Sequence, residues 1–309
     1  MPTEPSPAPI VLTTYRRLDH VKRALDALAD NPLASESELF ITSDGPREAD
    51  RKEVMEVREF VQNVPGFRNV HHLFRDKNDR YGNWLARREV LEEYGRLVFL
   101  EEDCLCAPGF LQFINQGLVH HQDDPEVFSI AGYAPPIPAF HGEALRRARV
   151  RSFNPWGFGI WKDRDASVDR TLQPSEFNRL IADRSFRKRV MKSLGPRYFG
   201  MLRKVAQGNL CAYDLMAMLT VIKNGWVSIF PSRSFVRNTG FDGSGENCGT
   251  TAEYEVQTCD SAEIDFSSLP CLPSTGVDAG FANFFGGTWR DRMKFLSKRV
   301  RGRLALPEA

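Results

Sequence analysis

The chain has 309 residues, enough for one large domain or a domain with a substantial appendage. Its 42% hydrophobic and 26% charged residues describe a globular protein able to bury a core. The formal net charge of +1 excludes the overall basic excess of a bulk nucleic-acid binder and leaves only local basic patches.

The opening MPTEPSPAPIVLTTY lacks a basic start and a sustained apolar run, so no secretory signal is expected there. No stretch reaches the roughly 20 apolar residues of a membrane span. A cytoplasmic protein is expected. Six cysteines, at 104, 106, 211, 248, 259 and 271, form no CxxC pair, which argues against a zinc cluster. In the cytoplasm they would be reduced thiols; a disulfide among Cys248, Cys259 and Cys271 is the alternative.

After a Pro-rich start, residues 10–14 (IVLTT) read as a buried strand. Asp19 can cap a helix carrying Val21, Leu25 and Leu28 on one face, ended by Asn31-Pro32. Residues 38–42 predict a second strand closed by the turn Ser43-Asp44-Gly45-Pro46. A helix with Val54, Val57, Val61 and Val64 follows, then a strand at 70–74 and a helix over 81–94. Residues 96–100 (RLVFL) are apolar without alternation, as in a strand covered on both faces. Strands alternating with helices predict an open α/β sheet with right-handed crossovers, whose ligands bind at the carboxyl ends of the strands.

After about residue 136 the pattern changes. Residues 139–152 read as an Arg-rich loop, 163–207 as a helical insertion, 226–230 as a strand, 238–250 as a Gly-rich loop and 261–288 as irregular. The expected organisation is a nucleotide-binding α/β half (9–136), a mixed acceptor half (137–260) and a tail (261–309) ending in a basic helix. In that helix Trp289, Met293, Phe295, Leu296 and Val300 alternate with Arg and Lys, a pattern suited either to peripheral membrane contact or to a solvated helix packed on the body.

Three carboxylates, Glu101-Glu102-Asp103, follow directly on RLVFL. Clustered carboxylates repel one another, and a hard divalent cation relieves that repulsion. A solvated turn would also accept them, and Ser43-Asp44-Gly45 alone is compatible with a plain turn. Asn154, Trp156, Gly157, Phe158 and Trp161 form an aromatic cluster that suits a sugar ring or ordinary core packing. His71-His72 and His120-His121 read as isolated surface pairs.

The run VFLEEDCLCAPGFLQFI resembles the strand, acidic motif and helix of GT-A glycosyltransferases, and is similar to the N-acetylglucosaminyltransferase I type family and to related bacterial glycosyltransferases. PIVLTTYRRLDHVKRALDAL, ITSDGPR, RSFNPWGFGIWK and the stretch from YDLMAMLTVIKNGWVSIFP to NTGFDGSGENCG resemble further segments of that family, in order, over residues 9–250. The resemblance implies a GT-A fold with a Rossmann-like open sheet and an inverting, metal-dependent hexosyl transfer from a nucleotide-sugar, with UDP the expected nucleotide. A glycan, lipid-linked sugar or small glycoside would be the acceptor, as in polysaccharide biosynthesis.

Carried over by position, Asp103 would hold Mn2+ or Mg2+, and Glu101, Glu102, Thr13 and Arg17 would contact the nucleotide, with Arg16 an equal candidate to Arg17. Asp44 would read the base. Asp214 would be the general base, with Asp242 next in line. Asn154, Trp156, Gly157 and Trp161 would meet the sugars, and Gly243, Ser244 and Gly245 would form a closing loop. Where some relatives place a His in that loop, this chain has Glu246-Asn247. A sugar-nucleotide pyrophosphorylase would need a Gly-rich loop after the first strand, where this chain reads Thr13-Thr14-Tyr15-Arg16-Arg17. A non-catalytic glycan- or nucleotide-binding module is the remaining rival.

Overall fold

The computed structural model describes residues 6–79, 81–245 and 249–287, together with Met293, Ser297 and Leu306. The run IVLTT forms β1 (Ile10–Thr14), buried along its whole length. In order come α1 (Leu18–Ala29), β2 (Glu38–Ser43), α2 (Arg51–Phe60), β3 (Asn69–Phe74), α3 (Gly82–Tyr94) and β4 (Arg96–Glu101). The four strands pair in parallel in the order β3-β2-β1-β4. Alternation along β1 sorts the core: Ile10 and Leu12 join the cluster on one face of the sheet, and Val11 joins the cluster on the other. Gly95 ends α3 in the left-handed conformation at φ 74°, which lets the chain turn straight into β4.

Beyond β4 lie β5 (Cys104–Cys106), α4 (Phe110–His120), β6 (Val127–Ala131), β7 (Arg147–Val150) and β8 (Phe158–Trp161). Four helices follow: α5 (Lys162–Ala166), α6 (Pro174–Ala182), α7 (Arg184–Ser193) and α8 (Arg197–Ala206). The remaining elements are α9 (Tyr213–Asn224), β9 (Val227–Pro231), β10 (Val236–Asn238), β11 (Cys271–Leu272) and α10 (Ser274–Phe284). The main sheet has nine strands in the order β11-β7-β9-β6-β8-β4-β1-β2-β3. It is mainly parallel; β8 runs antiparallel between β4 and β6, and β7 antiparallel to β9. This is a mixed α/β architecture around a large open sheet, with helices on both faces. The helices α6 to α9 cover the face that holds Val11 and Phe99, through Phe177, Phe186, Tyr198 and Phe199.

Several expectations are corrected. Asp19 sits in the first turn of α1, where its charge favours the helix N-terminus, and Arg17 holds the cap position. Val64 lies beyond the helix, because α2 ends at Phe60 and one 3-10 turn carries the chain to Asn63. The expected loop at 139–152 contains β7, in which Ala148 and Val150 are buried while Arg147 and Arg149 look outward. The expected irregular segment 261–288 contains β11 and α10, and α10 buries Val277 and Phe281 against β7 and β9. Cys259 and Cys271 are free thiols, one buried and one exposed, so they are not bonded to each other. Cys248, Glu246-Asn247 and most of the expected basic C-terminal helix lie outside the described residues. No helix among the described residues is long and apolar enough to cross a membrane.

Candidate functional site

A cleft of about 820 Å³ opens at the carboxyl ends of β1, β2 and β4. It brings together Thr13, Arg17, Asp44, Glu101, Glu102, Asp103, Trp156, Asp214, Ser244 and Gly245, residues spread over 233 positions of the chain. Strand ends are where an open α/β sheet exposes unpaired backbone and accommodates a ligand.

The acidic run is built from β4 outward. Glu101 ends the strand and Glu102 and Asp103 form the turn into β5. Arg17, at the start of α1, donates from Nε to Glu102 at 2.6 Å and from Nη2 to Asp103 Oδ2 at 2.7 Å. The other Glu102 oxygen accepts the Tyr15 N–H at 2.7 Å. Among the described residues, Asp103 Oδ1 has only a weak thiol contact from Cys104 at 3.8 Å, and Arg17 Nη1 is buried without a partner. One carboxylate oxygen and one guanidinium nitrogen are therefore left for a ligand.

The antiparallel pair of β5 with β10 seals this end. Thr239 donates its N–H to the Asp103 carbonyl at 2.8 Å, and Gly240 donates its N–H to Asn238 Oδ1 at 2.8 Å. A Cβ on Gly240 would lie 2.2 Å from Asp103 Oδ2, so only glycine leaves room for that carboxylate. The closing loop continues from here. Phe241 packs edge-on against Trp156 and tilted against Tyr254, and Asp242 pairs with His20 of α1 at 3.3 Å. Ser244 and Gly245 reach the cleft; Gly243, directly before them, takes φ 91° and does not line it.

The carboxylates carry the electrostatic marks of crowding. Burial, then the charges of Asp103 and Asp214, push Glu101 up to about 8 against the pull of Arg17. Burial also raises Asp214, partly offset by backbone N–H groups at the start of α9. Glu102 is raised by burial despite its bonds to Arg17 and Tyr15. Asp44 is raised by burial as well. Its oxygens accept the N–H groups of Gly45 and Asp79 and the side-chain amide of Asn78, at 2.9–3.1 Å. Asp44 thereby ties the loop after β3 to the end of β2.

Among the described residues no three His, Cys, Asp or Glu side chains converge into a metal cage. A small hard cation does not require one; it takes one or two carboxylates and completes its shell with phosphate oxygens and water. The available Oδ1 of Asp103, with Glu101 close enough to feel its charge, fits Mg2+ or Mn2+ in that manner.

Sequence reasoning missed the support beneath Asp214. Arg87 of α3, 2% exposed, donates to Asp165 at 2.5 Å and lies 3.9 Å over the ring of Tyr213, whose hydroxyl donates to the same Asp165 oxygen at 2.8 Å. The network fixes the first turn of α9, and so the position of Asp214. Removing one member of such a buried pair generally costs about 3–5 kcal/mol. The signals were an Arg inside an amphipathic helix and a Tyr beside the expected base, too common to single out. Trp84, Tyr81 and Asn78 also line the cleft unforeseen.

Three expected sugar-contacting residues lie elsewhere. Trp161 is buried in the core with Arg164 over its ring. Asn154 is buried and its Oδ1 accepts the Trp156 N–H. Gly157, at φ 69°, gives its carbonyl to Gly132 N–H and has no room for a Cβ beside Val236. Asn154 and Gly157 shape the turn that holds Trp156 in the cleft wall. The histidine pairs stand apart from the cleft: His71 bonds Glu38, and His120 and His121 pack on Phe266.

No family model matches the chain, and no curated protein matches it in sequence. Among solved structures it is similar to the mannosyltransferase PcManGT from Pyrobaculum calidifontis, in complex with GDP-Man and Mn2+. Identity is 14%, the TM-score is 0.34, and the match covers 53% of this chain and 48% of that one. The match thus spans about half the length of the solved protein.

Proposed function

We propose that the chain is a metal-dependent, inverting glycosyltransferase that takes its donor from a nucleotide-sugar. One observation carries the reading: an acidic turn at the end of β4 and a half-buried, raised carboxylate at the start of α9 face one cleft large enough for a nucleotide-sugar. In this reading the nucleotide lies over the ends of β1 and β2, with its base toward Asp44 and its ribose toward Glu102. Arg17 Nη1, buried and unpartnered, donates to a phosphate oxygen. Asp103 holds the divalent cation, with Glu101 beside it. When bound, that cation supplies positive charge to the departing diphosphate.

Asp214 is the base. Its raised affinity for a proton suits it to accept one from an acceptor hydroxyl as that oxygen bonds to the anomeric carbon and the carbon–phosphate-oxygen bond breaks. One carboxylate acting on one face in a single displacement inverts the anomeric configuration. Trp156 offers its ring to the sugars, while Ser244 and Gly245 close over the donor. UDP is the proposed nucleotide, and a glycan, a lipid-linked sugar or a small glycoside is the proposed acceptor class.

A thermal-shift screen of nucleotide-sugars, with and without manganese, tests the reading. A donor at 100-fold its Kd stabilises a fold by about 2.7 kcal/mol. UDP-sugars with manganese are expected to raise the unfolding temperature by several degrees. No shift with any nucleotide-sugar in either condition defeats the proposal.

A further inference from the structure

The lining of the cleft is sorted by polarity along the chain. From Thr13 to Asp103 it includes nine charged side chains, whereas from Pro155 to Leu215 Asp214 is the one charged side chain that lines it. Arg87 reaches this second stretch beneath the Tyr213 ring, and its charge is met by Asp165.

The apolar wall has a local origin. α8 turns Tyr198, Phe199, Leu202 and Val205 into the core, and Met201, at the edge of that face, is half-buried and lines the cleft. The connection from α8 to α9 adds Leu210, Cys211 and Ala212, and the turn before β8 adds Pro155 and Trp156, all half-buried. Met201, Leu210 and Ala212 pack on the core cluster beneath α6 to α9 with one side and meet the cleft with the other.

Polar side-chain atoms are scarce on this wall. The Tyr213 hydroxyl donates to Asp165 at 2.8 Å. Besides the Asp214 carboxylate, that leaves the Cys211 thiol, a weak donor, and the Trp156 indole N–H. A purely sugar ligand pressed against the wall would lose water from its hydroxyls with few groups to replace it, which is unfavourable. An apolar group in the same place removes apolar surface from water on both partners, which is favourable. Met201 adds an unbranched side chain that adapts to the shape it meets. Because the wall carries Asp214, its occupant is the molecule whose hydroxyl Asp214 faces.

We propose that this wall is the acceptor subsite and that it selects a glycoside with an apolar aglycone, an aryl ring or an alkyl chain. The inference rests on the reading of Asp214 as the base and narrows the acceptor class. The reacting sugar hydroxyl meets Asp214, which takes its proton as the oxygen bonds to the anomeric carbon and the bond to the diphosphate oxygen breaks. The aglycone lies on Met201, Leu210 and Ala212.

The test is a titration of the full chain, in the presence of UDP and manganese, with methyl, phenyl and octyl β-glucoside, followed by tryptophan fluorescence. Octyl glucoside is kept below its micelle concentration. The probes share one sugar and differ only in the aglycone. The phenyl or the octyl glucoside is expected to bind roughly tenfold or more tightly than the methyl glucoside, the gain from burying about two methylene groups. A gain with phenyl alone identifies an aryl aglycone, and a gain with octyl alone an alkyl chain. Leu210→Gln and Met201→Gln are each expected to remove most of that gain. Both side chains are half-buried at the cleft, so an unfolding temperature close to that of wild type is expected and shows that the variants fold. Equal affinity for the three probes, binding of none, or an undiminished gain in both variants overturns the proposal. The thermal shift with UDP and manganese, read on the same samples, reports on the donor site separately. A UDP shift without an aglycone preference sinks the acceptor inference and leaves the glycosyltransferase reading standing. An aglycone preference without a UDP shift defeats that reading, and the acceptor role with it.

Discussion

At the scale of single residues, Asp214 is the proposed base. Asp214→Asn keeps the shape of the side chain and removes its basicity, while leaving the Arg17–Asp103 end of the cleft untouched. Turnover is expected to fall by roughly 10²- to 10⁴-fold with donor affinity within about twofold of wild type. The pH profile follows from the direction of the shift. Burial raises Asp214 above the ordinary carboxylate range, and a base works only unprotonated. Activity is therefore lost as the pH falls through that raised value, and the acid limb of kcat/KM sits above the limb an exposed aspartate would give. An acid limb at the ordinary carboxylate value, or turnover of the Asn variant at the wild-type rate, moves the base elsewhere. These residues were legible to different degrees. Glu101, Glu102 and Asp103 stand out because three carboxylates after an apolar strand are costly without a partner. Arg87 and Asp165 do not stand out, because 78 positions separate them and each alone is an ordinary charged residue.

At the scale of elements, the long-range antiparallel pairing of β5 with β10 sets how Asp103 is presented. The segment leaving β10 brings Gly240 against the Asp103 carboxylate, where a Cβ would sit 2.2 Å from Oδ2. Gly240→Ala alters no charge, so it isolates geometry. It should lower the affinity for UDP with manganese by about tenfold or more, since overpacking a tight site typically costs about 1–3 kcal/mol. Gly249→Ala is the matched control, because nothing lies within 4 Å of its Cβ position. Equal titrations of the two variants would show that the site tolerates displacement of Asp103. The same contrast explains which elements the sequence revealed. β1 to β4 are apolar runs separated by amphipathic helices, so each is recognisable locally. β5, β7, β10 and β11 have two to four residues, and their partners come from distant segments, so their pairing lies in the tertiary structure and not in a local pattern. The irregular reading of 261–288 failed for a related reason. β11 is two residues held between Pro270 and Pro273, and α10 is fixed by covering β7 and β9 with Val277 and Phe281.

At the scale of the whole molecule, the sheet's order accounts for the cleft. β1 and β4 are adjacent and parallel, so Thr13 and Glu101 emerge side by side, and the crossovers bring Asp44 and Asp214 to the same edge from opposite directions along the sheet. In the proposed reading, binding at this edge follows from the topology, and the chemistry from a few carboxylates. The central claim is that Asp103 holds a nucleotide diphosphate through a divalent cation, and calorimetric titration of UDP into wild type and Asp103→Ala, each with and without manganese, tests it most directly. Wild type is expected to bind UDP tightly only with manganese, and Asp103→Ala to lose that dependence while keeping the wild-type unfolding temperature within a few degrees. Manganese-dependent UDP affinity that is the same in both proteins would contradict the account.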